Sequence, residues 1–225
     1  MQAVFETVFD LCYLIFVITA GLLILEKSKG RKEFRLLGAM AVTLGCGDAF
    51  HLVPRMMALC TTGMQDYTAA LGIGKLITSV TMTLFYVLLY YVWKTLYPKQ
   101  DSRVLTLMVW ILAVIRIALC LFPQNDWTAA SEPLVWGIWR NIPFAILGIL
   151  MIVLFFRTSG QDKTSPFRWM WLGITLSFAF YIPVVLLSQS FPAVGILMIP
   201  KTCAYVWIVC MGWKALKKAD ARQLQ

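Results

Sequence analysis

The chain has 225 residues, 60% of them hydrophobic and 14% charged, with a mean hydropathy of +0.76. Soluble domains carry roughly 45–50% apolar and about 25% charged residues, so a water-soluble globular fold is excluded. A formal net charge of +9 would suggest nucleic acid in a soluble protein, but here the charge is sorted by membrane topology, and no nucleic-acid partner is expected.

A helix needs about 20 apolar residues to cross a bilayer. Seven runs reach that length, at 3–25, 36–60, 69–93, 104–122, 133–156, 169–190 and 193–216. The expected fold is an all-α membrane protein, a seven-transmembrane-helix bundle forming a single domain over residues 1–225. The first run has neither a basic n-region nor a small-residue cleavage site, so it reads as a retained helix rather than a signal peptide.

Charge gives the orientation. The first, third and fifth loops and the C-terminal tail hold 15 of the 20 Lys and Arg. The even loops, around Met64–Thr68, Pro123–Glu132 and Phe191–Pro192, hold none. Positive charge stays cytoplasmic. The N-terminus is therefore expected outside and the C-terminus in the cytoplasm, as an odd helix count requires. The expected location is a bacterial plasma (inner) membrane.

The other five basic residues fall inside the runs: Arg55, Lys75, Arg116, Arg140 and Lys201. Three acids join them, Glu6 and Asp10 in the first run and Asp48 in the second. With this orientation, none of the eight lies in the cytoplasmic half. Scattered snorkelling would populate both ends. The asymmetry implies a polar cavity opening towards the outer face, with more bases than acids. Buried charges need partners, so Glu6 and Asp10 neutralise part of the surplus. The spare Arg and Lys suit an anion such as phosphate or carboxylate.

Within the second run, Asp48, His51 and Arg55 are spaced three and four residues apart and share one helix stripe. His51 is the only histidine in the chain. Ionisable groups at membrane depth are costly and by default mark function. Asp48 and His51 are the candidate acid/base pair, and Asp48 is expected to pair with Arg55 or with Lys201. Prolines 54, 143, 183 and 200 lie inside runs and free the carbonyls of Phe50, Trp139, Ala179 and Ile196. Pro183 brings Tyr181 to a kink at mid-depth, which adds Tyr181 to the candidate binding residues. Ser79, Tyr86 and Tyr90 read as interhelical packing. Cys12, Cys46, Cys203 and Cys210 read as small core residues, and spacing leaves a Cys60–Cys120 disulfide open.

No cofactor or metal is expected. One histidine and no paired thiols leave too few ligands for zinc. Lys201 in the seventh run is similar to the Schiff-base lysine of retinal proteins, but the third-helix pattern of those proteins is absent.

Gly47-Asp48-Ala49, with Leu52, Pro54 and Arg55, resembles the glycine-aspartate signature of the lysoplasmalogenase-like multi-pass membrane proteins, which cleave the vinyl-ether bond of lysoplasmalogens. The likeness covers about Leu36 to Tyr91, where the next run also opens on Leu71-Gly72 and closes on Phe85-Tyr86 and Tyr90-Tyr91. Relatives usually have eight spans, so the chain would lack the first. The family's next-helix histidine is replaced by Thr83-Leu84-Phe85-Tyr86, and its penultimate-helix Ser-Asp pair by Leu176-Ser177-Phe178-Ala179. The resemblance carries over to Asp48 and implies an intramembrane hydrolase of lysoplasmalogen-like lysolipids. Protonation of the vinyl ether would fall to Asp48 and His51. The headgroup would be held by Arg55, Lys75, Arg116, Arg140 or Lys201. The alternative is a transporter or receptor for a small anion or amphiphile, using the same basic cavity and proline kinks. Either way the expected partners are membrane lipids and an anionic small molecule or lysolipid. The oligomeric state is left open.

Overall fold

The seven apolar runs form seven helices. The computed structural model describes residues 2–61, 63–129 and 133–223, apart from the side chains of Gln2, Pro192 and Gln223. Residues 130–132, at the end of the expected loop Pro123–Glu132, lie outside these. The helices are α1 (Gln2–Lys27), α2 (Lys32–Cys60), α3 (Thr68–Leu96), α4 (Arg103–Leu121), α5 (Leu134–Arg157), α6 (Met170–Leu187) and α7 (Met198–Gln223). No strand occurs among the described residues. All seven are long and apolar enough to cross a membrane, consistent with an integral membrane protein.

Local chemistry marks several of the helix boundaries. Between α1 and α2 the backbone turns through Lys29 and Gly30, at φ 48° and 80°, where a side chain is costly and glycine is not. Ser102 caps α4, its Oγ accepting from the Leu105 amide at 3.1 Å, which satisfies one orphan donor of the first turn. Pro98, Pro123 and Pro192 each open a short 3₁₀ turn between helices. Pro54, Pro143 and Pro183 sit inside helices as expected. Pro200 does not. Residues Pro192–Leu197 form the 3₁₀ turn, α7 starts only at Met198, and Pro200 lies in its first turn. Proline is tolerated there because first-turn amides have no helical acceptor. The seventh span thus begins with a 3₁₀ entry rather than a mid-helix kink.

Successive helices pack against each other, and α7 returns to α1 and α2 to close the bundle. The central helix is α3, which touches α2, α4 and α5. It buries Phe85, Tyr86, Leu89, Tyr90, Val92 and Trp93 almost completely. Tyr86 packs edge-on to Phe85 and Phe144. The Tyr90 hydroxyl donates to Asp101 at 2.6 Å, and Lys94 pairs with the same carboxylate at 2.8 Å, tying α3 to the start of α4.

The cysteines depart from the sequence reading. Cys12, Cys46 and Cys203 are exposed on the bundle surface, Cys210 is half-buried, and of the six only Cys120 is buried. All six are free thiols, so no Cys60–Cys120 disulfide forms. Apolar residues in a lipid-facing protein gain nothing from turning inward, since lipid tails are as apolar as a core. A small apolar residue in a span therefore carries no burial signal.

Glycines set the closest approaches. A β-carbon on Gly72 would overlap the Trp127 carbonyl oxygen, and one on Gly74 the Phe50 carbonyl oxygen, both rigid backbone. Gly137 on α5 has nothing near where its β-carbon would go. Gly72→Ala should therefore lower thermal stability by roughly 1–3 kcal/mol through overpacking. Gly137→Ala should raise it by about 0.5–1 kcal/mol through helix propensity. Thermal melts of the two purified variants give the signs directly, and like signs would contradict the packing described.

Candidate functional site

The eight intramembrane charges, with His51, link up across six helices. On α1, Glu6, Asp10 and Tyr13 follow one another at helical spacing on a single face. Glu6 accepts from Arg55 Nε on α2 in an ion pair. The Tyr13 hydroxyl donates to Asp48 Oδ2 at 2.6 Å. Tyr13 is 4% exposed and Asp10 is 7% exposed, and Asp10 Oδ2 has no hydrogen-bond partner. Asp10 lies within electrostatic range of Glu6, Arg55 and Asp48.

Lys201, in the first turn of α7, joins the two halves of the site. It interacts electrostatically with Asp48 on one side and with Arg116 on the other. Its ammonium lies 4.6 Å from the Tyr181 ring centre and 5.7 Å from that of Tyr205, distances at which aromatic faces attract a cation.

Arg116 of α4 is 2% exposed. Its guanidinium lies flat on Phe144, 3.3 Å from the ring centre. Its Nε and Nη1 are buried without a hydrogen-bond partner. The groups that act on its charge most are Tyr181, Cys120, Tyr205 and Tyr86, none of them a carboxylate. Around it, Tyr181 donates to Asn141 Oδ1 at 3.0 Å, and the Tyr86 hydroxyl meets Ser177 Oγ at 3.4 Å.

Arg140 of α5 is placed differently. Its Nη1 donates to Asn125 Oδ1 at 2.9 Å, and its guanidinium stacks 4.1 Å from the Trp127 ring centre. Asn125 is fully buried, and its amide nitrogen donates to the carbonyls of Leu119, Cys120 and Phe122. Trp127 Nε1 donates to the Cys120 carbonyl at 2.9 Å. Side chains of the following loop thus satisfy the free carbonyls at the end of α4, and Arg140 fastens that loop.

The stripe on α2 divides among three neighbours. Asp48 faces Tyr13 and Lys201, Arg55 faces Glu6, and His51 Nδ1 lies 3.2 Å from the Leu71 carbonyl of α3. Asp48 and His51 share a helix face, yet no hydrogen bond is described between them. Lys75 is exposed on α3, in electrostatic range of His51. Sequence reasoning passed over Tyr13 and Tyr205. Both could have been found by spacing, Tyr13 from Asp10 and Glu6, and Tyr205 four residues after Lys201. Asn125 and Asn141 give no comparable signal.

Two pockets are described, one of 630 Å³ between α1 and α7 and one of 260 Å³ at the end with the basic loops. Neither is lined by Asp48 or Arg116. Among the described residues, no group of three or more His, Cys, Asp or Glu is placed to hold a metal ion. No family model, curated protein or solved structure matches the chain.

The pairing gives a definite pattern of coupling. Glu6→Gln and Arg55→Met should be non-additive in stability, as should Asp48→Asn and Lys201→Met, by about 0.5–3 kcal/mol in each cycle. Asp48→Asn and Arg55→Met should add. Double-mutant cycles from melts measure all three, and strong coupling in the third cycle alone would reverse the pairing.

Proposed function

We propose that the protein takes the anionic headgroup of an amphiphile between Arg116 and Lys201, and that it hydrolyses lysoplasmalogen-like lysolipids at Asp48. One observation carries the reading: the buried guanidinium of Arg116, with two nitrogens unpartnered and no carboxylate among its main neighbours. An uncompensated charge at membrane depth is expensive to keep. A phosphate bridging Arg116 and Lys201 would satisfy both through charge-assisted hydrogen bonds.

The chemistry is an acid-assisted hydration. Asp48 delivers a proton to the vinyl-ether carbon, water adds to the resulting oxocarbenium carbon, and the hemiacetal collapses to a fatty aldehyde and a glycerophospho-alcohol. Water is the one molecule consumed, and the proton returns to Asp48. Tyr13 orients the carboxyl through its hydrogen bond, and Lys201 sits between headgroup and acid. The resemblance of the Gly47-Asp48 stretch to the lysoplasmalogenase-like family supports the same assignment.

A second reading, a transporter or receptor for an anion or amphiphile, is favoured by the position of His51. Its Nδ1 faces the Leu71 carbonyl rather than Asp48, so the acid lacks the partner expected for acid/base work. In either reading the N-terminus is outside and the C-terminus cytoplasmic, by the distribution of Lys and Arg, and the membrane is proposed to be a bacterial plasma membrane.

Purified protein with a panel of lysolipids separates the readings. Asp48→Asn should cut fatty-aldehyde release by about a hundredfold or more and leave equilibrium binding near normal. Arg116→Met should weaken binding by about ten- to a hundredfold, as expected for a lost charge-assisted contact, while raising the melting temperature of the lipid-free protein, because it removes an unpaired buried charge. Tight binding without turnover of any lysolipid would favour the transporter or receptor. Binding unchanged in Arg116→Met would remove the headgroup site.

Topology is tested separately in a cysteine-free background. Single cysteines at Gln65 and Gln124, both exposed, should react with an impermeant thiol reagent in intact cells, whereas those at Lys99 and Lys163, also exposed, should react only after lysis. The reverse pattern would invert the bundle.

A further inference from the structure

A second groove, away from Asp48 and Arg116, lies on the bundle surface. It runs between α1 and α7, from Cys12 to Leu23 on α1 and from Val209 to Lys214 on α7, with a volume of 630 Å³. Cys12 to Leu23 corresponds to about 16 Å along the helix axis. That is close to half of the roughly 30 Å hydrocarbon thickness, the depth of one leaflet. Lys214 is the only charged residue in its lining, and it lies towards the end with the basic loops.

The charged end is more specific than a snorkelling lysine. Trp213 also lines the groove, and two ammoniums attend its ring, Lys27 at 5.4 Å and Lys217 at 5.6 Å from the centre. Tryptophans at this position sit at headgroup level. Lys27, Lys214 and Lys217 make no ion pair among those described. Glu26 is the one acid on the same turn of α1, and Asp220 is taken by Arg31 at 2.6 Å. Three lysines and a tryptophan thus surround the polar end of a chain-width apolar slot. Basic pockets between transmembrane helices recognise acidic lipid headgroups.

We infer that this groove is a binding site for an anionic phospholipid of the leaflet on the basic-loop side, with its phosphate on Lys27, Lys214 and Lys217 and one acyl chain against α1 and α7. The site is separate from the Arg116–Lys201 region, and its lipid is a resident rather than a substrate. It seals the seam where α7 closes the ring on α1.

The test uses the purified full chain, native mass spectrometry, and added phosphatidylglycerol or phosphatidylcholine with identical chains. The wild type should retain phosphatidylglycerol in clear preference and melt higher with it. Lys214→Gln with Lys217→Gln should weaken that preference by about thirtyfold, at roughly fivefold per lysine. Thr19→Trp, which fills the groove from an exposed position, should reduce retention of both lipids. Lys99→Gln with Lys163→Gln, equal charge removed elsewhere on the same end, should change nothing. Equal retention of the two lipids by the wild type would overturn the site. So would an equal loss in the Lys99/Lys163 variant, which would reveal diffuse attraction.

Discussion

The bundle is organised by the requirement that a charge in hydrocarbon must be answered by another charge, a dipole or an aromatic face. Four of the five bases in the spans are answered in four different ways. Arg55 has a carboxylate, Glu6. Lys201 has a carboxylate at a distance and two tyrosine rings. Arg140 has an asparagine and a tryptophan. Arg116 has the face of Phe144 for two nitrogens that would otherwise bond. A ring face offsets part of the desolvation of a guanidinium, but it cannot accept the in-plane hydrogen bonds that a phosphate or carboxylate accepts. That mismatch is why the proposed anion site is centred on Arg116 rather than on the better-paired Arg55.

The arrangement also divides the labour among helices. The three acids come from α1 and α2, beside Tyr13 and Arg55, while Arg116, Arg140, Tyr181 and Lys201 come from α4, α5, α6 and α7. Lys201 lies between Asp48 on one side and Arg116 on the other. Packing is close on the α2–α3 side, where Gly74 brings α3 onto the backbone of Phe50 and His51 and Thr78 donates to the Gly47 carbonyl at 3.1 Å. The segment carrying Asp48 is thereby held against the central helix. Proline interrupts the backbone ladder of α2 at Pro54, of α5 at Pro143 and of α6 at Pro183.

Much of this was legible in the sequence, because hydropathy at membrane depth is a strong constraint. All seven spans were, with ends within a few residues except at α7. The eight charged residues inside the spans could likewise be named from the sequence. Partner choice was less accessible. Helical spacing puts Asp48, His51 and Arg55 on one stripe, but a stripe on α2 is wide enough to face α1, α3 and α7 at once, and each residue takes a different neighbour. Burial of small residues was not legible at all. Cys12 and Cys120 both sit in apolar runs, one on the surface and one inside, because lipid and core present the same solvent to a thiol. The role of Asn125 was hidden for a related reason: its function is to satisfy carbonyls freed at a helix end, which no side-chain pattern announces.

The late start of α7 completes the electrostatic argument. A helix that began at Pro192 would bury its amino end near the membrane surface. Instead the 3₁₀ turn at Pro192–Leu197 delays the α-helix to Met198, and its first turn carries Lys201. Amides of a first turn are unsatisfied within the helix and carry the positive end of its dipole. Pro200 removes one of those donors and fixes the backbone for the turn. The field of the helix end, the Lys201 ammonium and the Arg116 guanidinium therefore add with the same sign, and the one opposing charge at Lys201 is Asp48. An anion entering there relieves three positive contributions and meets one negative one. The negative one belongs to the residue proposed to carry the proton, so in the proposed function headgroup binding and acid chemistry would share a single electrostatic balance centred on Lys201.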